Sequence, residues 1–263
     1  MSTRPVRAVW LACLGAAVCH LGTRSAKAQE LRLGLQLGTE WAELRDGRVR
    51  GLRWQGPGYT LGGTLERSGE RGRFDVEFRL GGAVVRNRYW HLGVTLSSLL
   101  ATGYLWRLPL RGKGRATLLG GRVEWQVAPR YFAQWDEEHI YWLTTIAAAP
   151  ALRHQESVGK DQAIVADLVV PVAALVATPP ARRYYKTDDL RTFWSYWEKS
   201  HDGMRGALPP EYLGMRLRVF YSRTPPGKLG VRVGYELAYR SASDPVVTEE
   251  LIHSCLAELA WHL

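Results

Sequence analysis

Four short groupings in this 263-residue chain hold side chains that could do chemistry. Asp188-Asp189 and His201-Asp202 would supply an acid pair and a His–Asp pair, the equipment for activating a water. His253-Ser254 would set a base beside a hydroxyl nucleophile. Asp136-Glu137-Glu138-His139 gathers ligands for a weak cation site. Each grouping also has a plainer reading. Thr187 or Asp188 caps a stretch with Leu190, Phe193, Trp194 and Trp197 at helical spacing, and Asp189 suits its first turn. His253 and Ser254 are adjacent, so on a strand they point to opposite faces. Residues 136–139 read as an exposed acidic turn. No Gly-rich phosphate loop, metal-ligand spacing or dinucleotide signature occurs, so neither a metal nor another cofactor is expected.

The elements that must position these groups are strands. Leu31, Leu33, Leu35 and Leu37 alternate with Arg32, Gly34 and Gln36. Phe74, Val76, Phe78 and Leu80 alternate with Arg73, Asp75, Glu77 and Arg79, and Val123, Trp125 and Val127 with Arg122, Glu124 and Gln126. From Leu229 to Arg240 the alternation runs for a dozen residues and includes Arg232, Glu236 and Arg240 on the polar side. Side chains on a strand face opposite sides in turn, so each segment has one apolar and one polar face. Residues 140–151 and 163–178 are apolar on both faces, and their Thr, Val, Ile and aromatic content still favours strand. Gly- and Pro-rich turns fall at 67–72, 111–114, 158–161 and 224–228. The reading is about ten strands, near 31–39, 58–67, 73–85, 89–108, 115–134, 139–155, 161–178, 215–224, 228–241 and 250–263. Twelve is the alternative, with a hairpin at Asp46-Gly47 or a hidden strand within 89–108. Pro179-Pro180 and Pro209-Pro210 bracket a loop, 179–214, that carries one short amphipathic helix.

Residues 1–28 read as a cleavable signal peptide. Arg4 and Arg7 precede an apolar run from Val9 to Cys19, too short to cross a bilayer, and Ala26-Lys27-Ala28 offers small residues at a cleavage site. Four basic residues belong to that leader, so the net charge of +10 falls to +6 for residues 29–263. The basic residues are scattered, which argues against a nucleic-acid partner and suits an acidic lipid surface such as lipopolysaccharide. Only Cys255 lies beyond the leader, so no internal disulfide forms there.

Strand length decides between a soluble and a membrane barrel. Transmembrane strands need about 9–11 residues, whereas soluble ones average about 5–6. The chain carries 11 Trp and 12 Tyr, many near predicted strand ends, where an amphipathic ring meets headgroups. The long connections 40–57, 179–214 and 242–249 all fall on one side, the extracellular one if the N-terminus is periplasmic. Leu259, Trp261 and Leu263 are apolar at alternate positions up to the last residue. Leader, strand pattern and terminus together resemble Gram-negative outer-membrane β-barrel proteins. That resemblance implies a closed antiparallel up-and-down transmembrane β-barrel, located in the outer membrane and recognised through its last strand by the barrel assembly machinery. A periplasmic soluble β protein is the structural alternative.

In such a barrel Arg73, Asp75, Glu77, Arg79, Arg122, Glu124, Arg232, Glu236 and Arg240 face the lumen and pair across it. Two enzyme classes share the architecture. Outer-membrane phospholipase A and the lipid A deacylases resemble each other in a His-x-Ser strand motif, which His91, His139, His154, His253 and His262 all lack. Omptin proteases use acid and His–Asp pairs that 188–189 and 201–202 resemble superficially, on a loop rather than a barrel wall. The leading expectation is therefore a barrel without catalysis, whose loop contacts a partner, ligand or lipid through Phe193, Trp194, Tyr196 and Trp197. A narrow pore for small solutes and a barrel-type hydrolase are the alternatives.

Overall fold

The computed structural model describes residues 30–47, 51–109, 114–134, 137–178, 190–225, 229–243 and 247–263. The leader falls outside them. Twelve strand segments and one helix follow in the order β1 (Glu30–Asp46), β2 (Arg53–Ser68), β3 (Gly72–Arg86), β4 (Leu92–Arg107), β5 (Arg115–Gln134), β6 (Glu137–Gly159), β7 (Gln162–Val169), β8 (Ala173–Ala177), α1 (Leu190–Asp202), β9 (Arg205–Ala207), β10 (Tyr212–Arg223), β11 (Leu229–Ala242) and β12 (Thr248–His262).

Ten of these segments close a ring. Neighbours from β1 to β7 pair antiparallel, β7 pairs with β10, and β10 leads through β11 and β12 back to β1. Leu31 and Leu263 exchange backbone hydrogen bonds at the seam between first and last strand. The ring itself closes without an open edge, as a backbone in hydrocarbon requires, and the one edge strand among the described segments is the short β9 on β8. The two remaining segments are continuations. Pro171 interrupts the seventh stave, so β7 pairs with the lower part of β6 and β8 with the upper part. The break is bridged by Val170 and Val172, whose N–H groups donate to the Pro150 and Ala148 carbonyls. Beyond Pro209-Pro210 the next stave resumes as β10, leaving the short β9 on β8. Neither Asp46-Gly47 nor 89–108 hides a further strand.

The apolar rows point outward. Leu33, Leu35, Leu37, Leu61, Leu80, Leu217, Val231 and Leu259 are exposed, while the alternate residues Arg32, Asp75, Glu77, Arg218, Glu236 and Glu258 are buried. A soluble barrel would invert this, because water would then wet the outer face. Trp106, Tyr221 and Trp261 lie exposed near the barrel end that carries Glu30 and Leu263, the end the sequence reading places in the periplasm, and Trp41 and Tyr59 lie higher on the wall.

One connection is shorter than the sequence suggests. β1 continues to Asp46 and β2 begins at Arg53, so most of 40–57 is strand. The reason is a change of phase. Above Trp41 the inward side chains are Ala42 and Leu44, which join Trp54, Ala83, Val85, Phe132 and Tyr141 in a buried cluster inside the barrel. The Trp54 and Phe132 rings lie 4.6 Å apart. Outward, Glu43 and Arg53 form an ion pair across β1 and β2. The strands thus rise beyond the lipid, where the wet and dry faces exchange.

Candidate functional site

Inside the barrel, polar rows from opposite walls meet in tiers. In the periplasmic tier, Glu66 of β2 is ion-paired with Arg32 and Arg73, with Arg153 at 3.4 Å and Arg232 at 3.6 Å. Arg153 also donates to Asp167, 2.6 Å at Oδ2. Gln36 donates to Glu258 at 2.6 Å.

Glu77 of β3 is the hub of the middle tier. Its carboxylate accepts from Arg79 at 2.8 Å, Arg122 at 3.0 Å and Arg218 at 2.9 Å, and Arg216 lies 3.6 Å away. Asp75 also pairs with Arg122 at 3.1 Å. Glu236 of β11 accepts from Arg79 at 3.0 Å and from Arg218, and Arg216 pairs with Glu124. In the upper tier Arg240 pairs with Glu250, and Arg130 lies 3.4 Å from Asp46 and 3.6 Å from Glu250. Each buried charge is thereby matched by an opposite one within reach, as a low-dielectric interior demands.

Space within this network is small. A cavity of about 60 Å³ lies among Glu40, Arg79, Glu124, Tyr212, Arg216 and Glu236, room for a few waters. A vestibule of about 380 Å³ opens below, bordered by Arg32, Glu66, Arg73, Lys160 and Arg232.

The second feature lies outside the wall. On β6 the odd residues face the lumen: Tyr141 and Leu143 join inner clusters, and Arg153 joins the ion network. Trp142 and Thr144 therefore face outward, yet both are buried. Helix α1 covers them. The Trp142 indole N–H donates to Ser200 Oγ at 3.0 Å, and Ser200 donates to the Trp197 carbonyl at 2.8 Å. Trp197 lies 5.5 Å from Trp142 and 4.3 Å from His201, centroid to centroid. His201 Nδ1 sits 2.7 Å from the Trp197 carbonyl, which can only accept, so Nδ1 carries the proton. Nε2 then accepts from the Thr144 hydroxyl at 3.0 Å.

Burial in this seam lowers the His201 pKa from its usual value. The Trp197 carbonyl and Asp202 oppose that shift without reversing it. With the docked pKa depressed, the undocked helix binds the proton more tightly. Docking is therefore strongest above about pH 6.5 and weakens as pH falls toward the lowered pKa. Hydrogen exchange of amides 195–202, corrected for intrinsic rates, should speed up between pH 7.5 and 5.5, and His201→Gln should abolish the difference.

Of the candidate contact residues, Phe193, Trp194 and Tyr196 lie on α1, with side chains outside the described set, while Trp197 forms part of the seam. Asp136 and Asp188-Asp189 lie outside the described residues, as do the side chains of Glu137, Glu138 and His139. His201, one half of the His–Asp pair, is engaged through both ring nitrogens. His253 faces outward and bonds the Tyr235 hydroxyl, while Ser254 is buried on the inner face. Sequence reasoning passed over Arg32, Asp46, Glu66, Arg130, Arg153, Asp167 and Glu250 as network members. The signal for Asp167 was available: it is the one charged residue inside the apolar run 163–178.

No protein-family model matches the chain, and no curated protein matches it. Solved structures do. The outer-membrane protease OmpT from Escherichia coli superposes with a TM-score of 0.56 over 92% of this chain and 99% of that one, at 10% identity. This is an outer-membrane β-barrel. The translocator domain of the autotransporter NalP from Neisseria meningitidis also matches, with a TM-score of 0.46 at 11% identity, over 97% of this chain and 95% of that one. At such identities the likeness of this outer-membrane barrel to its neighbours concerns the fold and leaves its activity to its own residues.

Proposed function

We propose that this protein is a non-conducting, non-catalytic outer-membrane barrel that works through its outer surface. Helix α1, held against the extracellular end of β6, is its device for contacting a partner, a ligand or the lipid surface. The carrying observation is the seam of Trp142, Thr144, Trp197, Ser200 and His201, which fixes the helix outside the wall rather than in the lumen. The lumen supports the same reading. The Glu77 hub ties β3, β5 and β10 across the bore, and the cavity left within that tier holds only about 60 Å³. The His201 ring is spent on holding the helix, which argues against its use as a base. On the same reading, β12 is the strand that the assembly machinery would recognise, with Leu259 and Trp261 directed into lipid.

The test is electrical. Purified protein in a planar bilayer is expected to give no conductance steps, whereas steps that scale with protein added would select the pore instead. Replacing 190–202 by a short Gly/Ser linker should leave heat-modifiable gel mobility intact while removing whatever surface contact the protein makes. Loss of any envelope hydrolase activity in His201→Ala would overturn the non-catalytic reading.

A further inference from the structure

A second outer surface lies on β1–β4. At the extracellular end, Trp41, Arg53, Pro57, Val84, Arg86 and Trp90 border an open groove of about 1090 Å³. Arg88 also lines it. The arginines sit on exposed outward positions. Arg53 shares Glu43, whereas Arg86 and Arg88 meet aromatic rings instead: Arg86 lies 5.8 Å from the Trp90 centroid and Arg88 4.6 Å from that of Tyr89. The groove thus carries a positive surplus.

Its floor is rigid. Asn87 organises the β3–β4 turn, its Oδ1 accepting from the N–H of Tyr89 at 2.9 Å and of His91 at 3.1 Å, while its carbonyl accepts from Trp90 N–H at 3.0 Å. Trp90 adopts a φ of 67°, a left-handed conformation costly for a bulky residue. The turn holds the indole beside Arg86, 76% exposed, instead of burying it.

Directly below, the wall changes character. Leu37, Tyr59, Leu61, Leu80 and Leu96 border an apolar furrow whose bed is Gly82, paired with Tyr59 on one side and Leu96 on the other. Height fits this order. Arg86 stands fourteen residues above Gly72 on β3. At about 3.3 Å per residue and a tilt of about 40°, that is roughly 35 Å above the periplasmic end, beyond an apolar band of about 25 Å. Arginines at headgroup height above a greasy furrow match one kind of molecule: anionic at the head and acylated below.

We propose that this face binds a phosphate-bearing, acylated glycolipid of the outer leaflet, of the lipopolysaccharide class. Arg53, Arg86 and Arg88 hold phosphate, Trp41 and Trp90 flank the sugar, and an acyl chain lies over Gly82. Guanidinium groups suit phosphate because they present paired donors, and indole rings stack on sugar faces. The proposal deepens the outer-surface reading by naming a lipid class, at a place separate from α1.

The experiment measures binding of bis-phosphorylated lipid A to the detergent-solubilised full barrel by native mass spectrometry. The R53Q/R86Q/R88Q variant should bind at least about tenfold more weakly, with the same heat-modifiable mobility as the parent. Gly82→Leu, which fills the furrow and leaves every arginine in place, should also weaken binding. Dephosphorylated lipid A should bind the parent no better than intact lipid A binds the triple variant. Three results would overturn the proposal: equal binding by parent and triple variant, full competition by millimolar inorganic phosphate, or equal affinity for phosphatidylglycerol. Planar-bilayer conductance reports on the non-conducting reading independently, so either idea can fail alone.

Discussion

Glu77→Ala should cost this barrel about 3–5 kcal/mol of stability, the penalty for leaving buried cations without their counter-charge. The Glu77 side chain is 2% exposed and lies within 3.0 Å of guanidinium nitrogens from Arg79, Arg122 and Arg218. Removing it leaves Arg79 and Arg218 to share Glu236 alone and Arg122 with Asp75, an excess of buried positive charge in a space that admits little water. Glu77→Gln keeps the shape and one acceptor oxygen, so its cost should be smaller. Glu156→Ala supplies the contrast. Its partner Arg115 is 61% exposed and Glu156 itself 41%, so the loss should stay below about 1 kcal/mol. Urea titration of the refolded protein, read by heat-modifiable mobility, separates these outcomes. A Glu77→Ala barrel as resistant as the parent would mean that water already fills the lumen and screens the network, which would revive the pore.

The sequence revealed which residues share a face far better than which residues meet. Alternation around Glu77 places Arg73, Asp75, Glu77 and Arg79 in one row, because the side-chain period of a strand is two regardless of context. Nothing in that period says that Glu77 will find Arg218, 141 residues away, because the partner is set by barrel closure and stagger. The same limit explains the strand ends. Alternation continues through Ala42, Leu44 and Asp46, but the apolar member has moved to the inner face, so a search for one continuous greasy face loses the strand at 39. Residues 140–151 show a different masking. Their inner face packs in the apolar clusters, and their outer face is partly covered by α1, so both faces read as core. Helix α1 itself was legible from the spacing of Leu190, Phe193, Trp194 and Trp197. Its seat on the outer wall was not, because Trp142 and Thr144 resemble interior strand residues until the register of β6 is known.

The direction of the apolar rows can be tested at one position of β10. Leu217 stands between Arg216 and Arg218, which point inward and are buried at 7% and 4% exposure, while Leu217 points outward at 39%. An arginine one residue to either side is therefore part of the native network. Placed at 217, six residues above the periplasmic end of β10 at Arg223, it would face the hydrocarbon. Leu217→Arg should cost about 2–4 kcal/mol in lipid vesicles, the range for a cation near the bilayer midplane. Val247→Arg, equally exposed but at the extracellular start of β12, should change stability by no more than about 0.5 kcal/mol. The pair removes the ambiguity of either change alone. Both positions are exposed and apolar, and both receive the same charge, so a difference between them measures the solvent that each one faces. If Leu217→Arg proved as harmless as Val247→Arg, water rather than lipid would bathe the Leu217 row, and the barrel's outer belt would lose its physical reason.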